Sequence, residues 1–338
     1  MKIEFNNVKK ILCIKPRGIG DIVLSTIVLE NIKEHFPTAA IHYLTEDFAK
    51  LSVANNPFVA KILTYKKNDF ILSVIHKVRK EKYDLIFDFW SNPKSAQITF
   101  LSGARHRVGF GYRGRKYAYN IVADSGRGEV HSAEHNLELL KVISIPIKSK
   151  NIQFYLNEDD KSKATKYFNE TFSADDFVVG IIPSGGWASK RCDAEKLIEF
   201  CERIYSKYRN KFLILWGPGD ENDATQIYYT LKNISVLAPQ TTVAEMAGLI
   251  AKCNFIIAND SGPMHIAAAL KVPTLGIFGP TNPKKHGPYS SNSDYIIKDD
   301  LHCIICDKLE CPYDHECMKE LSADLLLSKV EKILNEKD

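Results

Sequence analysis

The sequence predicts an α/β protein built as two doubly wound domains. Three observations carry this expectation. The chain has 338 residues, more than one hydrophobic core usually organises. Short β-branched runs alternate with helical stretches from the start, the pattern of βα units around parallel sheets. A polar stretch near residue 150 interrupts this alternation, which then begins again. With 45% hydrophobic and 25% charged residues, the composition is that of a soluble globular protein and excludes a disordered or fibrous one.

In chain order, Ile11 to Lys15 reads as the first strand. After Pro16-Arg17-Gly18-Ile19-Gly20, the segment Asp21 to Phe36 places Ile22, Leu29, Ile32 and Phe36 at helical spacing, and Pro37 ends it. Further strands are expected at Ile41 to Leu44, Ala60 to Leu63 and Leu85 to Phe89. The second series follows the polar stretch Ile147 to Asn151 and a charged helix after Asn157. Its strands are expected at Phe177 to Ile182, Lys211 to Trp216, Asn254 to Ala258 and Thr274 to Phe278. Between them lie helices near Asp193 to Lys207, Glu221 to Leu231, Thr242 to Ala251 and Gly262 to Leu270. Thr242-Val243-Ala244-Glu245 is a capping box, in which the hydroxyl and the carboxylate satisfy each other's orphan amides. The domains are expected at 1–155 and 156–338, the second carrying a cysteine-rich segment, 302–317, and a last helix, Ser322 to Leu334. A length of this kind also implies a cleft between two domains.

The net charge of +4, from 45 basic and 41 acidic residues, is too small to imply a nucleic-acid partner. Arg105, Arg107, Arg113, Arg115 and Lys116 nevertheless fall within twelve residues. They suit a phosphorylated or carboxylated acceptor, or an anionic membrane surface, and the plain alternative is a solvated loop. No apolar run approaches the roughly 20 residues of a spanning helix, and the N-terminus lacks a signal-peptide core, so a cytoplasmic location is expected. There the eight cysteines would be reduced, to be read as buried residues or metal ligands before disulfides.

In open α/β sheets ligands sit beyond the carboxyl ends of the strands, so three loops carry the chemistry. In Lys15-Pro16-Arg17-Gly18-Ile19-Gly20-Asp21, two glycines let backbone approach a ligand, and Asp21 lies where a helix dipole favours negative charge, as a general base requires. Val23 stands where a dinucleotide fingerprint needs glycine, and the structural alternative is that Asp21 caps the helix. In Pro183-Ser184-Gly185-Gly186-Trp187-Ala188-Ser189-Lys190-Arg191, small residues precede two cations able to hold a diphosphate, or the segment is an ordinary basic turn. In Ala258-Asn259-Asp260-Ser261-Gly262-Pro263-Met264-His265, a strand ends on polar residues and a helix opens with free amides, an anion site by construction. His265 falls one turn beyond Ser261 on the same face, as a ligand contact or as a packing residue.

Together these loops, with Gly276-Ile277-Phe278-Gly279-Pro280-Thr281 and Pro283, resemble glycosyltransferase family 9, the lipopolysaccharide heptosyltransferases, over almost the whole chain. The resemblance implies the GT-B fold: two Rossmann-like domains facing across a cleft, an N-terminal acceptor domain, a C-terminal nucleotide-sugar domain, and a final helix returning toward the first. It implies inverting, metal-independent transfer of a heptose from ADP-heptose to an anionic lipopolysaccharide inner-core acceptor, at the cytoplasmic face of the inner membrane. Asp21 matches the family's general base and Lys190 the lysine on the donor phosphates. Glu221 falls at the ribose acid, with Asp220 as the alternative, Thr241 at the adenosine wall, Asp260 near the sugar hydroxyls, and Ser261 and Gly262 at the diphosphate-binding helix start. Gly185, Gly186 and His265 complete the donor set; Gly18, Gly20, Arg113 and Arg115 are the expected acceptor contacts. Cys192 and Asp193 depart from the tryptophan and proline common in relatives.

Cys303, Cys306, Cys311 and Cys317 lie within fifteen residues, a spacing that allows a structural zinc or iron, with His302 and His315 as further candidate ligands. Reduced buried thiols are the alternative. The competing functions are a GT-B transferase or epimerase using another nucleotide sugar, and a non-catalytic nucleotide-sugar-binding module.

Overall fold

The computed structural model describes residue 5 and residues 7–124 and 130–335. The chain divides into two compact units, Met1–Tyr155 and Leu156–Asp338.

The first unit runs β1 (Lys10–Ile14), α1 (Ile19–Ser25), α2 (Leu29–His35), β2 (Ala40–Glu46), β3 (Val59–Tyr65), α3 (Ile71–Glu81), β4 (Leu85–Asp88), α4 (Pro93–Leu101), β5 (His106–Phe110), β6 (Ile121–Ala123) and α5 (Ser132–Lys141). Its six strands are parallel in the order β3-β2-β1-β4-β5-β6. The second unit runs α6 (Glu158–Thr171), β7 (Val178–Ile182), α7 (Ala194–Tyr208), β8 (Lys211–Ile214), α8 (Glu221–Thr230), β9 (Ser235–Leu237), α9 (Val243–Lys252), β10 (Phe255–Asn259), α10 (Gly262–Ala269), β11 (Thr274–Phe278), α11 (Pro283–His286), β12 (Ser293–Ile297), α12 (Glu316–Lys319) and α13 (Ala323–Asn335). Its order, β12-β11-β10-β7-β8-β9, is again parallel and repeats the topology of the first. In each sheet the strand order reverses beside the first strand, between β1 and β4 and between β7 and β10. At such a switch point the loops diverge to opposite faces and leave a crevice for a ligand.

The central strands are buried and mostly apolar because helices cover both faces. Val178–Ile182, Phe255–Asn259 and Thr274–Phe278 are buried at every residue. Phe200, Phe212 and Phe255 anchor the core of the second unit, and α13 closes it with Leu326, Leu327, Val330 and Ile333. Each such side chain contributes about 1.5–3 kcal/mol by leaving water.

Two sequence expectations change. The helix expected over Asp21 to Phe36 is interrupted by a 3₁₀ turn at Thr26–Val28. There the Ser25 and Thr26 hydroxyls donate to the carbonyls of Ile22 and Val23, pulling the backbone from regular α geometry. The arginine cluster, for which a solvated loop is the plain alternative, is only in part a loop: Arg105 lies in a bend before β5, Arg107 lies in β5, and Arg113, Arg115 and Lys116 lie in a 3₁₀ segment, Tyr112–Ala118, kinked where Arg113 takes φ 42°. The short edge strands β6, β9 and β12 lack a long apolar run to announce them.

Glu81 ties three elements of the first unit together, accepting from Lys61 at 2.5 Å and Lys10 at 3.1 Å. These bonds, Lys61 first, push its carboxyl from 4.5 down to about 2. A depressed carboxyl stabilises the fold above its unfolded value and loses that contribution as the pH falls toward the folded one. The wild-type melting temperature should therefore fall more steeply than that of Glu81→Gln between pH 4.5 and about 2; parallel curves would show that the pair contributes nothing.

Candidate functional site

In the first unit the loop after β1 turns at Gly18, whose φ of 80° suits glycine. A Cβ there would come within 2.4 Å of Asp21 Oδ2, so the glycine also makes room for the carboxylate. Asp21 sits in the first turn of α1, its side chain 45% exposed, while Gly20 is buried. The helix has no side-chain cap, so Asp21 does not serve as one. Lys15 Nζ lies 3.6 Å from Asp21 Oδ1, donates to the Phe89 carbonyl at 3.4 Å, and stands 4.9 Å from the centre of the Trp90 ring. The cation is thereby held between the ends of β1 and β4, at the switch point.

Asp88, at the end of β4, is fully buried, and burial pushes its carboxyl up. Oδ1 accepts from the amides of Trp90 and Ser91, and Oδ2 accepts from the Tyr119 hydroxyl at 2.8 Å. With its oxygens committed to the turn, Asp88 organises the loop: it holds Ser91 at φ 49°, and the Ser91 carbonyl accepts from Arg115 Nε at 2.7 Å. Arg115 is thus anchored at the same sheet edge as Asp21, while Arg113 follows the β5 strand in the kinked segment.

The second unit gathers its charges more tightly. Lys190, on the loop after β7, places Nζ 2.7 Å from Asp260 Oδ2 after β10, and both side chains are largely buried. Thr281 donates to the same oxygen at 2.6 Å, and Nζ lies 4.3 Å from the centre of the Trp187 ring. Asn259 stitches the two loops, donating to the Pro183 carbonyl and accepting from the Cys192 amide. Ser261 is the N-cap residue of α10, yet its Oγ makes no cap bond and is buried without a partner. The opening amides of Gly262 and this hydroxyl are what an anionic ligand would satisfy. His265 is buried one turn further along α10. A Cβ on Gly186 would meet nothing within 4 Å, whereas one on Gly185 would strike the Arg191 side chain at 2.7 Å.

Arg191 does not stand ready for a phosphate. It pairs with Asp220 at 2.9 Å, lies 3.6 Å from Asp223, and donates to the Gly219 and Gly185 carbonyls, binding the loop after β7 to the loop after β8. Asp220 is buried and also accepts from Ser184 at 2.6 Å. That occupation leaves Glu221, exposed at the start of α8, as the less committed carboxylate of the two, its Oε2 accepting from the Gly219 amide. Thr241 lies on the loop after β9, which Trp216 Nε1 fastens to the loop after β8 by donating to the Ala238 carbonyl at 2.7 Å.

The cysteine-rich segment braces this site. The Ser189 amide and hydroxyl donate to the carbonyls of Leu309 and Lys308, and His315 Nε2 lies 2.9 Å from the Ser189 carbonyl, one residue from Lys190. The amides of Ile305 and Asp307 donate to the carbonyls of Gly279 and Pro280, just before Thr281. One strap thus fixes the loop after β7, which carries Lys190, and the loop after β11, which carries Thr281. The expectation of a structural metal finds no support: all eight cysteines are free, and among the described residues no group of three or more His, Cys, Asp or Glu is arranged to hold an ion. His315 faces Ser189 and, at 3.4 Å, Asp193, and His302 packs edge-on against Tyr313. Burial, then the neighbouring Cys311, Cys303 and Cys306, pushes the Cys317 thiol up to about 12. Sequence reasoning missed the roles of His315 and Thr281; Thr281 ends a quoted loop, but nothing local in the sequence places His315 against Ser189.

Removing one member of a buried pair leaves the other charge unpaired, at a cost of about 3–5 kcal/mol. Lys190→Ala should therefore lower the melting temperature, and adding Asp260→Asn should restore part of it. Additive losses in calorimetry would show the two groups to be uncoupled.

A family model, glycosyltransferase family 9 (heptosyltransferase), matches residues 71–316. The chain is 27% identical to lipooligosaccharide heptosyltransferase 2 of Campylobacter jejuni, over 96% of this chain and 98% of that protein. It is 24% identical to lipopolysaccharide heptosyltransferase 2 of Escherichia coli, over 85% and 87%. Among solved structures, the family 9 glycosyltransferase from Veillonella parvula superposes with a TM-score of 0.85 at 19% identity, covering 99% of each chain. The E. coli ADP-heptose lps heptosyltransferase II superposes at 0.79 and 20% identity, over 97% and 99%. Two parallel doubly wound sheets, the GT-B architecture of these structures, and a family match over well more than half its length place this chain in glycosyltransferase family 9, the heptosyltransferase family.

Proposed function

We propose that the protein is an inverting, metal-independent glycosyltransferase that moves a heptose from ADP-heptose to a lipopolysaccharide inner-core acceptor, with Asp21 as general base. The relatives named above are lipopolysaccharide and lipooligosaccharide heptosyltransferases, and a further neighbour of this fold was solved with ADP. The observation that carries the reading is the buried Lys190–Asp260–Thr281 group beside the unpartnered Ser261 hydroxyl.

The second unit takes the donor. Its diphosphate lies over the start of α10, where the Gly262 amide region and Ser261 Oγ meet its oxygens, while Lys190 neutralises charge developing as the nucleotide departs. Asp260, fixed by Thr281, turns its remaining acceptor capacity toward sugar hydroxyls. Glu221 and Thr241, on the loops after β8 and β9, serve the nucleoside end. The first unit takes the acceptor: Gly18 and Gly20 let it approach, Arg113 and Arg115 meet its anionic groups, and Asp21 removes the proton from the attacking hydroxyl. Attack on the face opposite the leaving diphosphate inverts the anomeric centre. Lys15 fixes the Asp21 carboxylate without covering it. The charge chemistry is supplied by protein cations and amides, so the reaction needs no divalent ion. An acceptor of this class sits in a lipid leaflet, which makes the enzyme a peripheral protein on the cytoplasmic face of the inner membrane.

With ADP-heptose and a core acceptor, Asp21→Asn should retain ADP binding and lose about two to four orders of magnitude in kcat, the contribution of a positioned base; wild-type turnover by that variant would remove Asp21 from the mechanism. Lys190→Ala should lower kcat/KM through weaker donor binding and slower transfer. A hexosamine nucleotide should not replace ADP-heptose. Turnover of the hexosamine donor alone would transfer the reading to a different nucleotide sugar.

A further inference from the structure

The charge of this protein is concentrated. Residues 67–122 hold eleven lysines and arginines against four acids, although the whole chain holds 45 against 41, so the remainder is slightly acidic. Two of the four acids do little to offset the excess at the surface: Asp88 is buried, and Glu81 is taken by Lys61 and Lys10.

The same stretch exposes large apolar side chains. Phe100 and Leu101, at the end of α4, are 47% and 39% exposed, and Tyr117, in the 3₁₀ segment after β5, is 53% exposed. They form one patch: the Phe100 and Tyr117 rings meet edge to face with centres 5.5 Å apart, and Arg79 of α3 donates to the Leu101 carbonyl at 3.1 Å. Lys80 and Lys116, both exposed, neighbour Arg79 and Tyr117 in the chain.

From this juxtaposition we propose that the face formed by the ends of α3 and α4 and the Tyr112–Ala118 segment docks on an anionic lipid bilayer. Aromatic and aliphatic side chains insert at the level of the headgroups, and lysine and arginine heads meet lipid phosphates around them. A second copy of this chain fits poorly, because a two-fold contact would set the basic patch against itself. The proposal deepens the reading of a lipid-borne acceptor and rests on it for the choice of surface; its test contains neither nucleotide nor saccharide, so either can fail without the other.

The test is co-sedimentation of the full chain with vesicles of phosphatidylcholine alone or with phosphatidylglycerol added, at low and high salt. The wild type should bind the anionic vesicles and not the neutral ones, and salt should release it. Phe100→Ala with Tyr117→Ala should weaken binding several-fold, and Lys80→Glu with Lys116→Glu roughly tenfold or more. The second pair is exposed and keeps the test valid if the first pair impairs folding. Equal binding to both vesicle types, no binding, or full binding by the charge-reversed variant overturns the proposal. So does a concentration-dependent dimer lost in the Phe100 and Tyr117 variant, or tighter binding to a single-stranded oligonucleotide than to vesicles.

Discussion

The second unit is organised around one buried ion pair. Lys190 and Asp260 come from loops that follow different strands, and each would carry a costly charge into the interior without the other. Asn259 fixes the distance between the two loops, Thr281 takes one lone pair of Asp260, and Trp187 lies beneath the ammonium group. The strap that carries Cys303 and Cys317 holds Ser189 on one side and Gly279 and Pro280 on the other. Its place in the fold gives the segment a mechanical role at the site.

Arg191 shows how adjacent cations can divide tasks. Lys190 points inward to the pair, whereas Arg191 turns toward Asp220 and the Gly219 carbonyl and binds two loops together. A planar fork with several donors suits such multiple anchoring better than an ammonium does.

In the first unit the two acids at the switch point contrast in the same way. Asp88 is buried and surrounded by donors, a builder of the β4 loop. Asp21 is half exposed, with Lys15 at 3.6 Å, and so is reachable from solvent. Burial alone would favour Asp88, whereas the proton acceptor proposed above has to be reachable as well as correctly placed.

Much of this was legible in the chain. Short apolar runs rich in β-branched residues, such as Val178–Ile182 and Thr274–Phe278, read as covered strands, and local chemistry announces the turn at Gly18 and the capping box at Thr242. These follow from hydrophobic period and backbone preference, which act over a few residues. The short edge strands, the break at Thr26, the burial of Asp220 and the hold of His315 on Ser189 were not legible, because each depends on groups far apart in sequence. The sequence by itself determined the βα alternation, the division into two halves and the loops that carry polar groups. Only the tertiary structure decided which charges in those loops neutralise one another, since pairing energy depends on distance and burial, and neither is encoded locally.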